Sequence, residues 1–335
     1  MSPAIWVPLV FLLCALLILA SGVRLSRYGD IIAEKTGLGG TWTGLVLMAT
    51  VTSLPELITG ISSVTVFDVP DIAAGDAIGS CMFNLVILAF LDFRHPTPLT
   101  ARVHQGHVLS AAFGILQLAL AAMAILLGPR APMLGWVGLH SLLFLAIWLF
   151  AVRTIFVFER IRMADIAETL TGDIKYGEVS LGRAAGLYAL NAAVLVAAAA
   201  YLPGAGERFA ELSGLDQSFV GSLLVAASTS LPEVVVSVAA ARLGAFDMAV
   251  ANLFGSNLFN VGVVGIDDLF YTDGSMLAQV SPAHLATLEV AIAMTAVAIV
   301  GLTYRAQRKR FRLSWDSIGL LALYAAGLVM LKWLA

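Results

Sequence analysis

The chain contains an internal repeat, and this repeat limits its possible folds more than any other feature. The pentapeptide TSLPE occurs at residues 52–56 and again at residues 229–233, both times within apolar sequence. After one residue of slippage, an offset of 176 pairs GSCMFN at 79–84 with GSNLFN at 255–260. Ordered matches of this kind identify duplication rather than chance recurrence of one short motif. The sequence therefore predicts two copies of one structural unit.

The composition places both copies in a lipid bilayer. Hydrophobic residues make up 60% of the 335 residues and charged residues only 12%, and the mean hydropathy is +0.93. These values lie outside the range of soluble domains. Ten apolar runs are long enough to cross a bilayer as helices. They lie at about 4–22, 42–66, 71–92, 107–128, 133–156, 184–203, 215–241, 246–270, 284–304 and 314–334.

We therefore expect an all-α integral membrane protein with ten transmembrane helices in two five-helix repeats. The first repeat covers residues 1–158, a cytoplasmic linker covers 159–183 and the second repeat covers 184–335. Because five is an odd number, the second repeat enters the membrane from the opposite side and the two repeats are inverted. Inverted repeats of this kind are typical of alternating-access transporters.

The distribution of Lys and Arg predicts the orientation, since these residues collect on the cytoplasmic side. With both termini outside, 16 of the 19 basic residues fall in cytoplasmic connections, and only Arg130, Arg208 and Lys332 do not. We expect a multi-pass protein of the cytoplasmic membrane, plasma or inner, with an N-out and C-out topology. The first apolar run is predicted to be a retained helix, because no basic segment precedes it as in a signal peptide.

Each copy carries two polar stripes within its apolar runs. Thr52 and Glu56 are four residues apart and share a helix face, as do Thr229 and Glu233. The next run carries a second stripe at the same spacing, which reads Asp76, Ser80 and Asn84 in the first copy and Asn252, Ser256 and Asn260 in the second. Gly79 and Gly255 lie beside these stripes and allow close helix approach.

A proline lies inside each motif, and it should kink the helix there. Pro55 and Pro232 have no N–H group, so they should free the carbonyl groups of Val51 and Ser228, four residues earlier. Free carbonyls at membrane depth are tolerated only where they face protein or a wet cavity. In that setting they are hard oxygen ligands for a cation.

The charge balance indicates that a cation occupies the space between the stripes. No Lys or Arg occurs between Lys35 and Arg94, and Arg242 is the only one between Arg208 and Arg305. An intramembrane carboxylate costs on the order of 3 kcal/mol and needs a partner. Two glutamates supply a charge of −2 and oxygen ligands for Ca2+. The same oxygens could hold two or three Na+ ions or protons, and mutually exclusive occupancy would couple the two fluxes as antiport.

Several residues also have ordinary structural interpretations. A serine in a membrane helix usually bonds to its own i−4 carbonyl, and Asn84 and Asn260 could instead join helices. Asp76 could be a peripheral ligand or line an entry path. The offset of 176 also pairs Asp71 with Asp247 and Asp92 with Asp268. We expect Asp92 and Asp268, near helix ends, to be solvated acids. Cys14 and Cys81 are interpreted as packing residues.

The motif TSLPE followed by GSxxxN, present twice in ten expected helices, resembles the alpha-repeats of the cation/calcium antiporter superfamily, nearest its sodium/calcium exchanger branch. The resemblance implies an ion-binding core formed by the second, third, seventh and eighth helices, with the first and sixth sliding across it. It implies that Glu56 and Glu233 hold Ca2+. It also implies contributions from Thr52, Thr229, Ser53, Ser230, Ser80 and Ser256, from the carbonyls of Ala49 and Ala226, and from Asn84 and Asn260 at the centre, with Asp76 and Asn252 as peripheral candidates.

This chain departs from the family pattern at several positions. The family usually has Gly before TS, where this chain has Val51 and Ser228, and Cys81 stands where Asn is common. Several relatives have an acid at the position of Asn84 or Asn260. Amides at both positions leave two central acids, which favours Na+ over H+ as the coupling ion.

The sequence thus predicts a secondary-active antiporter that exchanges Ca2+ for Na+ by alternate exposure of one shared site. The alternatives are exchange driven by H+, transport of another divalent ion, a cation channel, and a membrane hydrolase with the two glutamates as an acid/base pair. The hydrolase is disfavoured because no histidine lies in the repeated motifs. We expect no enzyme activity and no cofactor. The expected partners are the lipid bilayer and inorganic cations, with no nucleic acid and no obligatory protein partner.

Overall fold

The computed structural model describes residues 3–36, 52–164, 179–309 and 312–334. Nearly all of these residues are helical. The α-helices are α1 (Pro3–Thr36), α2 (Leu54–Ser62), α3 (Pro70–Phe93), α4 (Leu99–Arg102), α5 (His107–Leu127), α6 (Leu139–Ala164), α7 (Leu181–Ser213), α8 (Gln217–Val220), α9 (Ala226–Thr229), α10 (Leu231–Arg242), α11 (Phe246–Phe270), α12 (His284–Tyr304) and α13 (Trp315–Leu334).

A few short elements join these helices. Two π-helical segments occur, at Ser63–Phe67 after α2 and at Gly221–Val225 between α8 and α9. Short 3-10 helices cover Gly128–Arg130 and Met276–Ala278. The strands β1 (Met133–Leu134) and β2 (Val137–Gly138) form a small antiparallel hairpin, in which Met133 is opposite Gly138.

Within the described ranges, eight helices are long and apolar enough to cross a membrane, and a bent pair adds a ninth. The bent pair is Gln217–Thr229 followed by Leu231–Arg242. The apolar helix Leu54–Phe67 is shorter, and the beginning of the expected run at 42–66 lies outside the described residues. The multi-pass helical character is therefore confirmed, and the number of ten spans stays a prediction.

The helix breaks where the repeated motif predicts a break. Helices α9 and α10 meet at Ser230 with a bend of 44°, since Pro232 cannot donate a backbone hydrogen bond. Ser230 has φ −83° and ψ 6°. The corresponding Ser53 has nearly the same conformation, with φ −89° and ψ 9°, and α2 begins directly after it. The kink predicted at Pro232 is confirmed, and the backbone at the two serines is alike.

Helices α3 and α11 lie at the centre of the structure. Their most apolar windows are 83% and 78% buried, whereas the windows of α1 and α7 are only 28% buried. Helix α1 packs along α7, and α1 also contacts α10. This arrangement fits a core that contains α3 and α11, with α1 and α7 as an outer layer.

Proline chemistry also joins α7 to α2. Pro203 lies inside α7, so the carbonyl of Ala199, four residues earlier, has no helical N–H partner. The Thr59 hydroxyl of α2 donates to that carbonyl at 3.2 Å. Helix α1 also approaches the second motif so closely that a Cβ on Gly22 would lie 2.7 Å from Pro232 Cγ. The outer layer thus packs directly against both motif helices.

The prediction that Asp92 and Asp268 are solvated is wrong. Asp92 is 1% exposed and Asp268 is fully buried. Asp92 Oδ1 accepts from the backbone N–H of Leu99 at 2.8 Å and pairs with Lys309 Nζ at 2.9 Å. Asp268 accepts from the backbone N–H groups of Gly138 at 2.7 Å and Met276 at 2.5 Å. Both carboxylates are buried because they satisfy donors of neighbouring loops, a role the position near a helix end did not reveal.

Two His–Asp pairs also join distant parts of the chain. His284 Nε2 lies 3.1 Å from Asp71 Oδ1, and His107 Nε2 lies 3.0 Å from Asp247 Oδ1. The two histidines are 177 residues apart, the same offset that relates the TSLPE motifs. This correspondence between the histidines was not predicted from the sequence.

Candidate cation site

The two motif glutamates lie at the centre of the structure. Glu56 is 1% exposed and Glu233 is fully buried. Each lies three residues after its motif serine, in the first turn of α2 or α10. The helix break at the serine and the proline two residues after it determine where each new helix begins. This start sets the position of the glutamate carboxylate.

The glutamates bond to serines of the opposite motif. Ser230 Oγ lies 3.1 Å from Glu56 Oε1 and 3.0 Å from Ser80 Oγ. In the corresponding arrangement, Ser53 Oγ lies 3.3 Å from Glu233 Oε1 and 3.1 Å from Ser256 Oγ. Because each carboxylate takes its serine from the other copy, the two motifs form one site rather than two.

Several other predicted members lie beside these carboxylates. Ser256 Oγ donates to Glu233 Oε1 at 3.2 Å, and the Thr52 side chain also bonds to Glu233. The carbonyl of Ala226 accepts from Ser80 Oγ at 3.4 Å and from Thr229 Oγ1 at 3.2 Å. Ala49 lies outside the described residues.

Asp76 is also brought to the site. Its Oδ1 accepts from Thr229 Oγ1 at 2.7 Å, and the residue is 1% exposed. The threonine belongs to the second motif and the aspartate to α3, so this contact again crosses between the copies. Asn252, its counterpart on α11, instead donates to Ser237 Oγ of α10 at 3.3 Å.

The amide groups differ in their contacts. Asn84 Nδ2 donates to Asn257 Oδ1 at 2.9 Å, and Asn257 Nδ2 donates to the carbonyl of Cys81 at 3.1 Å. Asn84 therefore joins α3 to α11, the structural role considered for it. Asn260 is fully buried and lies beside the Cys81 thiol, and its Oδ1 accepts no hydrogen bond within the described residues. An amide oxygen that no donor occupies is suited to a cation ligand.

The carboxylates have no basic partner within the described residues, where the ion pairs with acids involve His107, His284 and Lys309 only. Glu56 Oε2, Glu233 Oε2 and Asp76 Oδ2 are buried, and each has no hydrogen-bond partner in the part of the chain that the structure describes. Uncompensated carboxylates in a low-dielectric interior are costly. The free oxygens are hard ligands that a Ca2+ or Na+ ion could satisfy.

A resident metal of the zinc type is not indicated. Across the described ranges, no three His, Cys, Asp and Glu side chains come together as a metal cluster. A cation at the glutamates would therefore be bound by a mixture of carboxylate, hydroxyl, carbonyl and amide oxygens. Such a ligand set suits a hard cation that enters and leaves.

Two polar residues of α11, Asn257 and Asp267, were not predicted from the sequence as functional candidates. Asp267 is fully buried, and neither of its carboxylate oxygens has a hydrogen-bond partner among the described residues. The rule that an ionisable residue inside a membrane helix marks a functional position would have identified it. The offset of 176 pairs Asp267 with Leu91, so the repeat does not mark Asp267 as it marks Asp268.

Helical membrane architecture and buried acids from two copies of one motif define a membrane transporter of cations. The chain belongs to the sodium/calcium exchanger protein family, whose sequence model matches residues 6–157 and 183–333. This confirms the superfamily resemblance. Members of the family are exchangers and not enzymes.

Two of the relatives with similar sequences come from an archaeon and a bacterium. Sodium/calcium exchanger MaX1 of Methanosarcina acetivorans is 35% identical over 143 residues, which are 42% of this chain and 39% of MaX1. The alignment thus spans about two-fifths of that relative. Inner membrane protein YrbG of Escherichia coli is 26% identical over 261 residues, 74% of this chain and 75% of YrbG.

Two solved structures share the fold. The H+/Ca2+ exchanger CAX aligns with a TM-score of 0.72 at 13% identity and covers 96% of this chain and 82% of its own. The sodium-calcium exchanger NCX_Mj aligns with a TM-score of 0.59 at 22% identity and covers 97% of this chain and 98% of its own. At these identities the likeness concerns the fold.

Proposed function

We propose that this protein is a secondary-active antiporter that exchanges Ca2+ for Na+ at one site held by Glu56 and Glu233. The supporting observation is the crossed pair of glutamates, each bonded to the opposite serine and neither paired with a basic side chain in the described residues. Family membership supports cation/calcium antiport in general. The choice of Ca2+ and Na+ as the exchanged pair is part of the proposal.

Exchange follows from competition for the same oxygens. With Glu56 and Glu233 ionised, the site carries a charge of −2, which one Ca2+ or two Na+ ions neutralise. An unneutralised pair in the bilayer is unfavourable, so the loaded protein changes conformation more readily than the empty one. Because the carboxylates are buried, an ion can enter only after a movement that opens one side. The outer pair α1 and α7 is the proposed moving element.

The proposal includes ten transmembrane helices in two inverted repeats, at 1–158 and 184–335, with a cytoplasmic linker and both termini outside. The serine–glutamate contacts between the two copies lie at positions that the repeat makes equivalent. Each side chain contacts the same type of partner as its counterpart does, and this symmetry supports the inverted arrangement. We also propose the cytoplasmic membrane as the location. The relative YrbG carries the name of an inner membrane protein.

Exchange driven by H+ is the second candidate, because the neighbour CAX is named an H+/Ca2+ exchanger. The amides Asn84 and Asn260 favour Na+, since an amide cannot take up a proton near neutral pH. The buried acid Asp76, which bonds to Thr229, is the feature of the site that supports H+. A cation channel is a less favoured alternative. A channel would conduct cations without a counter-ion gradient, and it would give no reason for the breaks in the two motif helices.

Reconstituted vesicles distinguish these functions. Radiolabelled Ca2+ uptake is measured under an outward Na+ gradient, under a pH gradient, and with neither. The proposal predicts uptake that requires the Na+ gradient and is insensitive to a proton ionophore. Uptake driven by the pH gradient alone would replace Na+ with H+ as the coupling ion, and uptake with neither gradient would indicate a channel.

A further inference from the structure

A small cavity lies between the ends of α3 and α10. Its volume is about 140 Å³. Both helix ends contribute to the lining, which consists of Leu91, Arg94, His95, Val238, Ala241 and Arg242. Arg242, the last residue of α10, follows Glu233 by nine residues of the same helix, a rise of about 14 Å. The cavity is therefore separate from the exchange site.

The cavity carries positive charge that no acid neutralises. Arg94 and Arg242 are both exposed, and within the described ranges no ion pair joins either of them to an acid. The neighbouring acid Asp92 is already engaged, because it pairs with Lys309 Nζ at 2.9 Å and accepts from Ser314 Oγ at 2.9 Å. Two guanidinium groups that line one cavity without an acid favour an anion there.

The backbone carbonyls at these helix ends do not oppose an anion, although helix C-termini carry partial negative charge. The carbonyls of residues 239–241 accept from the backbone N–H groups of residues 243–245. At the end of α3, Lys309 Nζ donates to the carbonyls of Asp92 and His95. Because these acceptors are occupied, the two arginines determine the charge of the cavity.

The size and surroundings of the cavity favour the headgroup of a lipid. Sites for drug-sized ligands measure about 300–1,000 Å³, so this cavity suits a single small anionic group. Phe90 and Phe93 are each 44% exposed and Leu243 is 79% exposed. The Arg94 guanidinium lies 5.9 Å from the centroid of the Phe90 ring. Arginines beside exposed apolar side chains at helix ends lie at the level of lipid headgroups.

We propose that Arg94 and Arg242 bind the phosphate group of an anionic phospholipid in this cavity. A guanidinium group matches two phosphate oxygens at once, and basic pockets between transmembrane helices bind anionic headgroups. The His95 ring can add one N–H donor, and Leu91 and Val238 can contact the glycerol and upper acyl carbons. A bound lipid joins the ends of α3 and α10, so it should stabilise the folded protein.

The test is thermal unfolding of the purified, full-length protein in a neutral detergent during titration with dioctanoyl phosphatidylglycerol. The unfolding temperature should rise and saturate, since a ligand of the folded state stabilises it. Dioctanoylglycerol has the same chains without a phosphate, and glycerol phosphate has the phosphate without chains; both should stabilise much less. Arg94→Gln and Arg242→Gln should each raise the half-saturating lipid concentration about fivefold. Arg308→Gln, another exposed arginine, is the matched control and should respond as the wild type does.

Three results would overturn the proposal. Equal stabilisation by dioctanoylglycerol would show an apolar site, and equal stabilisation by glycerol phosphate would identify a free phosphate as the ligand. An Arg308→Gln effect as large as those of the cavity variants would assign the binding to general surface charge. All three arginines are exposed, so the variants should fold, which their unfolding temperatures without lipid verify. The titration contains neither Ca2+ nor Na+, so its failure would leave the proposed exchange untouched.

Discussion

Substitution of Gly79 by alanine should disrupt the site through the helix crossing that supports it. A Cβ on Gly79 would lie 2.4 Å from the carbonyl oxygen of Ser222 and 2.7 Å from Ser222 Cα. Real Cβ atoms essentially never come within 3.0 Å of a non-bonded heavy atom from another part of the chain. The helix α3 and the π-helical segment must therefore separate by at least 0.6 Å, the difference between 3.0 and 2.4 Å. The contact atoms belong to the backbone, and a side-chain rotation cannot relieve the clash.

The separation reaches the next residue, Ser80. Its Oγ lies 3.4 Å from the carbonyl oxygen of Ala226, so an added 0.6 Å removes that hydrogen bond. Overpacking costs about 1–3 kcal/mol, and alanine in a helix regains about 1 kcal/mol relative to glycine. One lost hydrogen bond costs about 1 kcal/mol of stability. The same separation moves Ser80 Oγ and the Ala226 carbonyl, two proposed ligands, apart, and a loss of about 1 kcal/mol in binding corresponds to about fivefold weaker Ca2+ affinity. We therefore expect Gly79→Ala to be less stable and to bind Ca2+ more weakly.

Gly114→Ala is the matched control. Gly114 also lies inside an apolar helix, α5, and a Cβ there would meet nothing within 4 Å. Thermal unfolding in detergent and Ca2+ titration of both variants test the reasoning. Gly114→Ala should unfold at or above the wild-type temperature with unchanged affinity. If Gly79→Ala had the same unfolding temperature and the same Ca2+ affinity as Gly114→Ala, the close approach of α3 to the π-helical segment would not support the site.

Three further predictions concern other contacts. Ser53→Ala and Ser230→Ala should each weaken Ca2+ binding by about tenfold, or 1.4 kcal/mol, because each removes one hydroxyl shared with the opposite glutamate. Calorimetric titration measures this, and an effect confined to one of the two variants would contradict the crossed arrangement. Asp92→Asn should lower the free energy of unfolding by about 3 kcal/mol, because it leaves buried Lys309 without its carboxylate, and Ca2+ affinity should not change; a reduced affinity at wild-type stability would assign Asp92 to transport. Thr59→Val should destabilise the protein by about 1–3 kcal/mol in thermal unfolding, because it leaves the carbonyl freed by Pro203 unpaired; unaltered stability would show that this contact contributes nothing.

Much of the fold could be predicted from apolar run length alone. The expected runs at 71–92 and 246–270 correspond to Pro70–Phe93 and Phe246–Phe270. Helix α1 continues to Thr36, well beyond the expected end at residue 22. Hydropathy marks the part of a helix that lies in lipid, and a helix can continue through charged residues into water.

The residues of the site could be predicted from the sequence, but the contacts between them could not. The repeat alignment identified the glutamates and serines, yet it could not show that each glutamate bonds to the serine of the other copy. That pairing depends on how four helices cross. The burial of Asp92 and Asp268 was not predicted for a similar reason, since each accepts from a backbone N–H group far along the chain, Ser314 for Asp92 and Gly138 for Asp268. Asp267 could have been found from its charge alone.

The most direct test of the central claim is Na+-driven uptake of radiolabelled Ca2+ by vesicles that contain Glu56→Gln, Glu233→Gln or the control Glu289→Gln. Glu289 is exposed on α12, and its variant should transport as the wild type does. Each motif variant should insert normally and reduce uptake to the level of empty vesicles, because glutamine keeps the shape and loses the charge. Normal uptake by either motif variant would show that the two glutamates do not hold the transported ion.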